Sequence, residues 1–405
     1  MKNLLKLLSP FAPDQSGASA VLYELGGLMV ICDAGGCAGN VCGFDEPRWF
    51  TKKSAVFSAG LRDMDAILGR DDRLIEKLSK ACEQIRPAFT AIIGTPVPAV
   101  IATDMRALKR MAEKKTGLPC ITAECTGTNY YDSGSEPVWI ELFKTFATES
   151  KPVQKGRLGI IGATPLELSI ISPEKIVAEY KAKGWENVIC YGMGSTLDDV
   201  KNAAATEKNI VCSSAAIKAA EYLKEKFGTP YVYAVPYGYS GTVSFLEQVG
   251  AAVGKAPEPM VLMRIKMKEK GMSMLSMFAM MGGSKQRQAA VKGDYDLVRG
   301  VGAFLEQAGI TVTHKMCAHS LKAITEPAAD VEAYAEEGEW LQKIRELRDT
   351  LLFADDVALT QADASNTKVL ISAPFMNGVV ATHLPFMGEK GADFLLEQIQ
   401  GYYQK

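Results

Sequence analysis

The sequence predicts a protein of the α/β class, in which helices pack around parallel sheets. Short runs rich in Val and Ile alternate with helix-like segments along almost the whole chain, which is the pattern of β/α units. These runs are apolar at consecutive positions, as expected of strands buried on both faces of a parallel sheet. The chain has 405 residues, more than one ordinary core accommodates, so two or three domains are expected.

Nine apolar segments are predicted to be strands, and capped helical segments lie between them. One helix is predicted over 172–184, "SPEKIVAEYKAKG", because it begins with Ser-Pro-Glu and ends with Lys-Gly. A second is predicted over 213–228, where the apolar residues have helical spacing. In chain order, the predicted strands are 28–32, 88–94, 118–124, 157–163, 187–192, 209–214, 230–235, 310–315 and 368–373.

Two breaks divide the chain into three predicted α/β domains of a common size. The segment 147–157, "ATESKPVQKGR", is polar and linker-like, and a second break is predicted near 252–272. We therefore expect domains at 1–150, 151–265 and 266–405. The first carries the unusual cysteine segment described below, and the third ends in a helix.

Composition excludes several classes of function. The net charge is −2 and no basic or acidic tail is present, so no nucleic-acid partner is expected. No apolar run approaches the roughly 20 residues needed to cross a bilayer. The N-terminus lacks a cleavage site of small residues, so we expect a cytoplasmic protein without a membrane partner. Nine cysteines in such a chain do not predict a disulfide framework.

Nucleotide-binding motifs are absent or incomplete. The phosphate-binding pattern G-x-x-x-x-G-K-[ST] does not occur, so the chain is not expected to hydrolyse ATP through a loop of its own. The segment 191–199, "YGMGSTLDD", has the first two glycines of a dinucleotide fingerprint, but Leu197 stands at the third position. We therefore predict no intrinsic NAD or ATP site.

Three cysteines at five-residue intervals are the most unusual feature of the chain. Cys32 ends a predicted strand, where it is either a small core residue or a ligand. Cys37 and Cys42 lie in a glycine-rich segment without apolar periodicity, "GGCAGNVCG". Zinc sites usually contain C-x-x-C pairs, which are absent here, whereas glycines such as Gly36 allow backbone to approach a bulky iron–sulfur cluster. The remaining ligands would come from elsewhere in the chain or from a symmetric second copy.

Cys125 is a further candidate for binding a cofactor. It lies in the loop "ECTGTNYYDSG", directly after the predicted strand 118–124. Open α/β sheets place ligand-binding groups in such loops.

Several segments in the same order resemble the nitrogenase component 1 superfamily. This superfamily includes nitrogenase subunits, their cofactor-assembly scaffolds and the reductases that act on tetrapyrroles. The resemblance covers most of the chain and is carried mainly by the shared order of motifs. The segments are "LMVICDAGGCAGN" (28–40), "RPAFTAIIGTPVPAVIATDM" (86–105), "TGLPCITAECTGT" (116–128), "NIVCSSAAIKAAEYLKEKFGTPYVYAVPYG" (209–238) and "ISAPFMNGVVATHLPFMGEKGADFLLEQI" (371–399).

The resemblance implies three Rossmann-like domains, a paired dimer and a cluster at the subunit interface. Cys37 matches a cluster cysteine of the family, Cys42 and Cys32 are local additions, and Asp33 is a further candidate because a carboxylate can replace a thiolate. Family members with three cluster cysteines carry one before the match to Gly17 and one in the match to 88–96, and this chain has neither. A homodimer with two cysteines per subunit would supply four thiolates to a shared [4Fe–4S] cluster.

The function implied is that of an oxidoreductase component. A separate ATP-hydrolysing iron–sulfur reductase would supply electrons, which pass to a small molecule or metallocofactor bound between domains. The alternative is a non-catalytic carrier or assembly scaffold for a metallocluster or tetrapyrrole. Cys212 lies where the catalytic nitrogenase subunit anchors its large cofactor, but the matching C-terminal histidine is missing, so we interpret Cys212 as structural.

Overall fold

The computed structural model describes residues 12–168, 173–182, 184–281, 287–317, 324, 327–334, 337–372, 374 and 386–403, without the side chains of 275–281 and 401–403. The chain divides into two compact units, Phe11–Tyr231 and Val232–Lys405. Three sheets are present within the described residues. The strand pairs for which a register is defined are parallel, and one isolated bridge is antiparallel. The predicted α/β class with parallel sheets is confirmed.

The first sheet has the strand order β2-β1-β3-β4. Its strands are β1 (Leu28–Ile31), β2 (Ala55–Ser58), β3 (Thr90–Ile93) and β4 (Cys120–Ala123). Because the chain moves from β1 to β2 on one side and later to β3 and β4 on the other, the strand order reverses between β1 and β3. The accompanying helices are α1 (Asp14–Leu22), α2 (Gly36–Asn40), α3 (Asp63–Leu68), α4 (Asp71–Ile85), α5 (Pro96–Val100), α6 (Met105–Thr116) and α7 (Tyr131–Phe146).

The second sheet has the order β6-β5-β7-β8. Its strands are β5 (Gln154–Ile161), β6 (Asn187–Cys190), β7 (Thr206–Val211) and β8 (Tyr231–Tyr233), and the order again reverses between the first strand and its later neighbour, here β5 and β7. The connecting helices are α8 (Pro165–Leu168), α9 (Glu174–Ala182), α10 (Leu197–Lys201) and α11 (Ile217–Phe227).

The third sheet lies in the unit Val232–Lys405 and has the order β11-β10-β9-β12-β13. Alternate strand residues face two separate cores: Val291 and Phe353 face one, and Ala290 and Leu352 face the other. The strands are β9 (Gln288–Gly293), β10 (Thr311–Cys317), β11 (Glu332–Ala333), β12 (Leu351–Ala354) and β13 (Thr367–Leu370). The helices are α12 (Gly238–Val253), α13 (Pro259–Met281), α14 (Tyr295–Gln307), α15 (Glu337–Glu346), α16 (Asp356–Gln361) and α17 (Gly388–Tyr403).

All nine predicted strands overlap observed strands, whereas β2, β9, β11 and β12 were not predicted. In β9, a lysine interrupts the apolar run although the strand is buried. Lys292 is tolerated there because its Nζ bonds Oδ2 of Asp355 at 2.5 Å and lies 4.2 Å from the ring centroid of Trp340. Such compensation comes from distant residues and leaves no local signal.

The predicted helices were also found. The prediction over 172–184 corresponds to α9, with residues 172 and 183 outside the described part, and the prediction over 213–228 corresponds to a 3-10 turn followed by α11. The domain limits at 150 and 265 stay a prediction. No helix in the described ranges combines the length and hydropathy needed to cross a membrane.

Candidate functional site

The cysteine-rich segment leaves the first sheet where its strand order reverses. Cys32 and Asp33 directly follow β1, and Thr95 lies just beyond β3. The two loops are joined by hydrogen bonds: the Cys32 N–H donates to the Ile93 carbonyl at 2.8 Å, and the Thr95 hydroxyl donates to the Cys32 carbonyl at 2.8 Å. Open α/β sheets bind ligands in the crevice at this position.

Cys37 and Cys42 lie on one continuous helical segment. Helix α2 runs directly into a π-helical turn, Val41–Asp45, and the Val41 N–H bonds the carbonyls of both Cys37 and Ala38. A π turn joins residues five apart, and such turns are frequent at functional sites. Cys37 lies in α2 and Cys42 lies in the π turn, and both are half-buried.

Asp33 anchors the start of this helix. Its side chain is almost completely buried. Oδ2 accepts the Ala38 N–H at 2.7 Å and Oδ1 accepts the Ser58 hydroxyl at 2.6 Å. Both carboxylate oxygens are thus used to hold α2 against β2. Asp33 therefore stabilises the start of the cysteine helix, and it is also a candidate ligand.

The pKa values of both helix cysteines are raised. Burial is the main cause for Cys37, and the Asp33 carboxylate adds to it, while a hydrogen bond from Thr95 lowers the pKa. For Cys42, burial again comes first, followed by the charges of Glu46 and Asp33. The Asp33 carboxylate therefore raises the pKa values of both thiols.

Cys32 is in a different environment. Its side chain lies in the hydrophobic core with Leu28, Val30 and Leu74, and it is 2% exposed. Burial raises the pKa of its thiol to about 12. The structure thus separates Cys32 from the two half-buried cysteines.

Open space lies beside the glycines of this segment. A Cβ placed on Gly35, Gly36, Gly39 or Gly43 would meet no atom within 4 Å. Gly35 has a φ of 126°, a conformation that side chains rarely adopt. The glycines therefore leave room for a bulky group against the backbone.

Asp45, at the end of the π turn, fastens the segment to α1. Its Oδ2 accepts the Ser16 hydroxyl and the Asn40 side-chain amide, both at 2.7 Å. Burial raises the pKa of Asp45 to about 7, the Ser16 hydrogen bond opposes this, and the charge of Glu46 adds to it. A buried carboxyl that titrates near neutrality therefore lies three residues beyond Cys42.

Arg48, at the end of the segment, forms a buried network of hydrogen bonds. Its side chain is fully buried, and all five guanidinium N–H groups donate to protein acceptors. Nε and Nη2 donate to the two Glu46 carboxylate oxygens at 2.7 Å, and Nη2 also donates to the Ala20 carbonyl. Nη1 donates to Oε1 of Glu24 at 3.1 Å and to the Gly192 carbonyl at 2.7 Å. The network joins the cysteine segment, α1 and the loop after β6.

Exposed apolar side chains lie on the segments next to the cysteine helix, and we call this set the apolar rim. The β2–α3 segment is joined to the loop before α2, since the Leu61 N–H donates to the Asp33 carbonyl at 2.8 Å. Phe44 and Phe50 are each 79% exposed. Such a group of exposed apolar side chains is typical of an interaction surface. The rim comprises Phe44, Trp49, Phe50, Phe57, Met64, Ile67 and Leu68.

Cys125 lies at another cleft, at the ends of β3 and β4. The cleft has a volume of about 470 Å³ and is also lined by Gly94, Arg106 and Glu124. Burial raises the pKa of the Cys125 thiol well above its ordinary value. Cys125 is thus on the opposite side of β3 from the loop that carries Cys37.

Cys212 follows β7, where the strand order of the second sheet reverses. Its thiol donates to the Ile161 carbonyl at 3.3 Å, which fits a structural role. Across the residues that the structure describes, no group of three or more His, Cys, Asp or Glu side chains is arranged to hold a metal ion.

Sequence reasoning did not identify Ser16, Asp45, Arg48 or Thr95 as parts of this region. Arg48 follows the glycine-rich cysteine segment closely in the chain, but its partners Glu24 and Gly192 lie 24 and 144 residues away from it. No local pattern predicts such contacts. The spacing of the cysteines and glycines, by contrast, can be read directly from the sequence.

The chain is similar in sequence and in fold to known proteins. The family model described as nitrogenase component 1 type oxidoreductase matches residues 14–402. The nitrogenase iron-molybdenum cofactor biosynthesis protein NifE of Klebsiella pneumoniae is 25% identical over 243 residues, covering 54% of this chain and 51% of that protein. The nitrogenase molybdenum-iron protein beta chain of Methanothermobacter marburgensis is 22% identical over 416 residues, covering 92% and 88%.

The chain spans about half the length of the first of these relatives. Among solved structures, "Nitrogenase Cp1 at pH 6.5" superposes with a TM-score of 0.72 at 16% identity, covering all of this chain and 92% of that one. At this identity the match supports the fold alone.

Proposed function

The chain belongs to the nitrogenase component 1 type oxidoreductase family, and from this premise we propose that it holds an iron–sulfur cluster through Cys37 and Cys42. In this proposal, it passes electrons from an ATP-hydrolysing iron–sulfur reductase to a small molecule or metallocofactor. The observation that carries the proposal is the pair of half-buried cysteines on one helical segment at the reversal point of the first sheet.

The residues fit such a group. Thiolates are the usual ligands of iron–sulfur clusters, and Cys37 and Cys42 are two half-buried thiols on one segment. The open space at Gly36 and Gly39 leaves room for an inorganic core. Cys32 and Asp33 are the weaker candidates, because one lies in the core and the other holds the helix.

A second copy of the chain completes the site in this proposal. Two cysteines per subunit give four thiolates around a two-fold axis, and such an isologous contact uses the same surface of both subunits. The exposed apolar rim supports this arrangement, since dimerisation would remove Phe44 and Phe50 from water. The proposed cofactor is thus a [4Fe–4S] cluster shared between the subunits of a homodimer.

The chain's own residues orient the ligands and set their surroundings. Asp33 fixes the first turn of α2 through the Ala38 N–H, and Arg48 fixes the end of the segment through Glu46. When bound, the cluster supplies one-electron redox chemistry. Residues that hold the ligands in this way tune the reduction potential of a cluster and the orientation of its ligands. The lack of a phosphate-binding loop in the sequence supports a separate ATP-hydrolysing partner.

The second candidate function is a carrier or assembly scaffold for a metallocluster or tetrapyrrole. The similarity to NifE, a cofactor biosynthesis protein by name, favours this candidate. The two functions differ in turnover. An oxidoreductase oxidises the partner reductase continuously in the presence of ATP and acceptor, whereas a scaffold releases its cargo once.

Anaerobic purification followed by iron and sulfide analysis tests the cluster. We expect about four irons per dimer, which is the content of one [4Fe–4S] cluster, and loss of iron in Cys37→Ala and Cys42→Ala. Cys82→Ala is the matched control, because Cys82 is also half-buried but lies on α4. Unchanged iron in both helix variants would refute the assignment. Iron-free protein after reconstitution would refute both cluster functions.

A further inference from the structure

Four methionines form an exposed row on helix α13. Within the part of the chain that the structure describes, five methionines are exposed, and four of them lie on this helix. The fifth, Met64, belongs to the apolar rim. The exposed fraction in the row ranges from 71% at Met260 to 48% at Met274. We call this set the methionine row, and it comprises Met260, Met263, Met267 and Met274.

The spacing of the row keeps its members on one face of the helix. Successive members are three, four and seven residues apart, and residues at these offsets lie above one another along a helix. At a rise of 1.5 Å per residue, the row extends about 21 Å along the helix axis. The four thioethers therefore form a single strip that is accessible to solvent.

The inner face of α13 packs without the row. Ile265 and Met272 are almost completely buried and belong to the hydrophobic core of the unit Val232–Lys405. Met272 lies only two residues from Met274, so one helix carries a buried and an exposed thioether in the same local sequence. Met272 is therefore a matched internal reference for the row.

Ion pairs fasten α13 to α17. Arg264 donates from Nε and Nη2 to the two Glu389 carboxylate oxygens at 2.9 and 2.6 Å. Lys268 donates to Oδ2 of Asp393 at 2.7 Å. These ion pairs and the buried inner face hold the helix in place. The position of α13 therefore does not depend on the methionine row.

Exposure decides which methionines an oxidant can reach. Oxidation of methionine gives the sulfoxide, which is polar and can be reduced back to the thioether. In the row, the new S–O group would be hydrated. At Met272 it would lie in the core, where a polar group without a partner is costly. The row can thus take up oxygen without disturbing the packing of the unit.

We propose that the methionine row is a site of oxidation by hydrogen peroxide, and that the fold stays intact when the row is oxidised. The thioether sulfur donates an electron pair to one peroxide oxygen, so an S–O bond forms and the O–O bond breaks. The departing hydroxide takes the proton from the sulfur-bound hydroxyl and leaves as water. The sulfur loses two electrons and the peroxide gains them. This site lies outside the cysteine helix and does not depend on the proposed cluster.

Treatment of the full chain with hydrogen peroxide, followed by peptide mass spectrometry at increasing times, tests the selectivity. We expect each row methionine to gain one oxygen at least about tenfold faster than Met272 or Met316, which are both buried. A buried thioether reacts only after the structure opens locally, and an opening populated less than about one tenth of the time gives this factor.

A variant with leucine at the four row positions tests whether the fold tolerates the oxidation. It combines Met260→Leu, Met263→Leu, Met267→Leu and Met274→Leu, which keep the volume and the apolar character of the side chains. Both proteins receive the same peroxide dose, so oxidation elsewhere, including at the cysteines, is common to both. We expect the variant to gain four fewer oxygens per chain. The change in melting temperature on treatment should agree between the two proteins to within about 2 °C.

Three outcomes would overturn the proposal. The first is a row that gains no oxygen, and the second is oxidation of Met272 at the same rate as the row. The third is a larger fall in melting temperature in the unaltered chain than in the leucine variant, because it would show that the row supports the packing. Since the measurement follows oxygen uptake by methionine and not iron, its result is independent of the cluster experiment.

Discussion

Arg48 and Glu46 form a two-bond ion pair inside the protein, with Nε and Nη2 of Arg48 each donating to one carboxylate oxygen at 2.7 Å. The same guanidinium bonds Glu24 and the Gly192 carbonyl. The fork geometry of arginine satisfies all these acceptors at once. The pair therefore connects the cysteine segment to the loop that follows β6.

Arg48→Met should lower the free energy of unfolding by about 3 to 5 kcal/mol, because it leaves two buried carboxylates without their partner. Chemical denaturation at neutral pH measures this change. Arg73→Met is the control, since Arg73 is half-exposed in its ion pair with Asp65 and should show little loss. Equal losses in both variants would contradict the role assigned to the buried network.

Asp45 should make stability depend on pH. Its folded-state pKa of about 7 lies above the ordinary value of 3.8, so the folded state binds the proton more tightly than the unfolded state. The stabilisation by the protonated Asp45 carboxyl is complete below about pH 4. It is lost as pH rises to about 7, and the free energy of unfolding falls by at most about 4 kcal/mol. Asp45→Asn keeps an acceptor for Ser16 and should flatten this part of the profile. A profile unchanged by the substitution would show that another group is responsible.

Cys32→Val should leave the iron content unchanged. Valine suits the core position that Cys32 occupies beside Leu28 and Val30, and such a swap costs less than about 1.5 kcal/mol. Iron analysis beside Cys37→Ala separates a packing cysteine from a ligand. Loss of iron in Cys32→Val, with the fold intact by circular dichroism, would make Cys32 a ligand instead.

Thr95→Cys should strengthen cluster retention. Thr95 is fully buried, and its hydroxyl interacts with Cys37. A thiol at position 95 therefore adds a third potential ligand beside Cys37. We expect slower iron loss to a chelator than in the unaltered chain, with Thr95→Ser as the control that keeps the hydroxyl. Faster loss in Thr95→Cys than in Thr95→Ser would place the cluster away from this side of Cys37.

Phe50→Glu and Phe44→Glu should shift the protein from dimer to monomer, because a charge in the apolar rim opposes burial of that surface. Sedimentation velocity measures the change. Val153→Glu is the matched control, since Val153 is 61% exposed but lies on the polar segment before β5, outside the rim. A dimer that persists in both rim variants would exclude this surface as the interface.

The sequence predicted the fold class well because burial on both faces of a parallel sheet leaves continuous apolar runs, as in β1 and β5. Two of the missed strands have other patterns: β9 contains Lys292, and β12 is a continuous apolar run that is rich in leucine rather than in β-branched residues. Propensity is a local property, whereas the pairing of Lys292 with Asp355 exists only after the sheet has formed.

By itself, the sequence determined the α/β class, the order of most strands along the chain and the glycine-rich spacing of Cys32, Cys37 and Cys42. Only the tertiary structure decided how these three cysteines differ, since burial depends on what packs above each thiol. Cys32 lies in the core, while Cys37 and Cys42 remain half-buried on a segment held by Asp33, Asp45 and Arg48. Contacts of this kind join residues far apart in the chain, so they arise from the folded arrangement and leave no trace in local spacing.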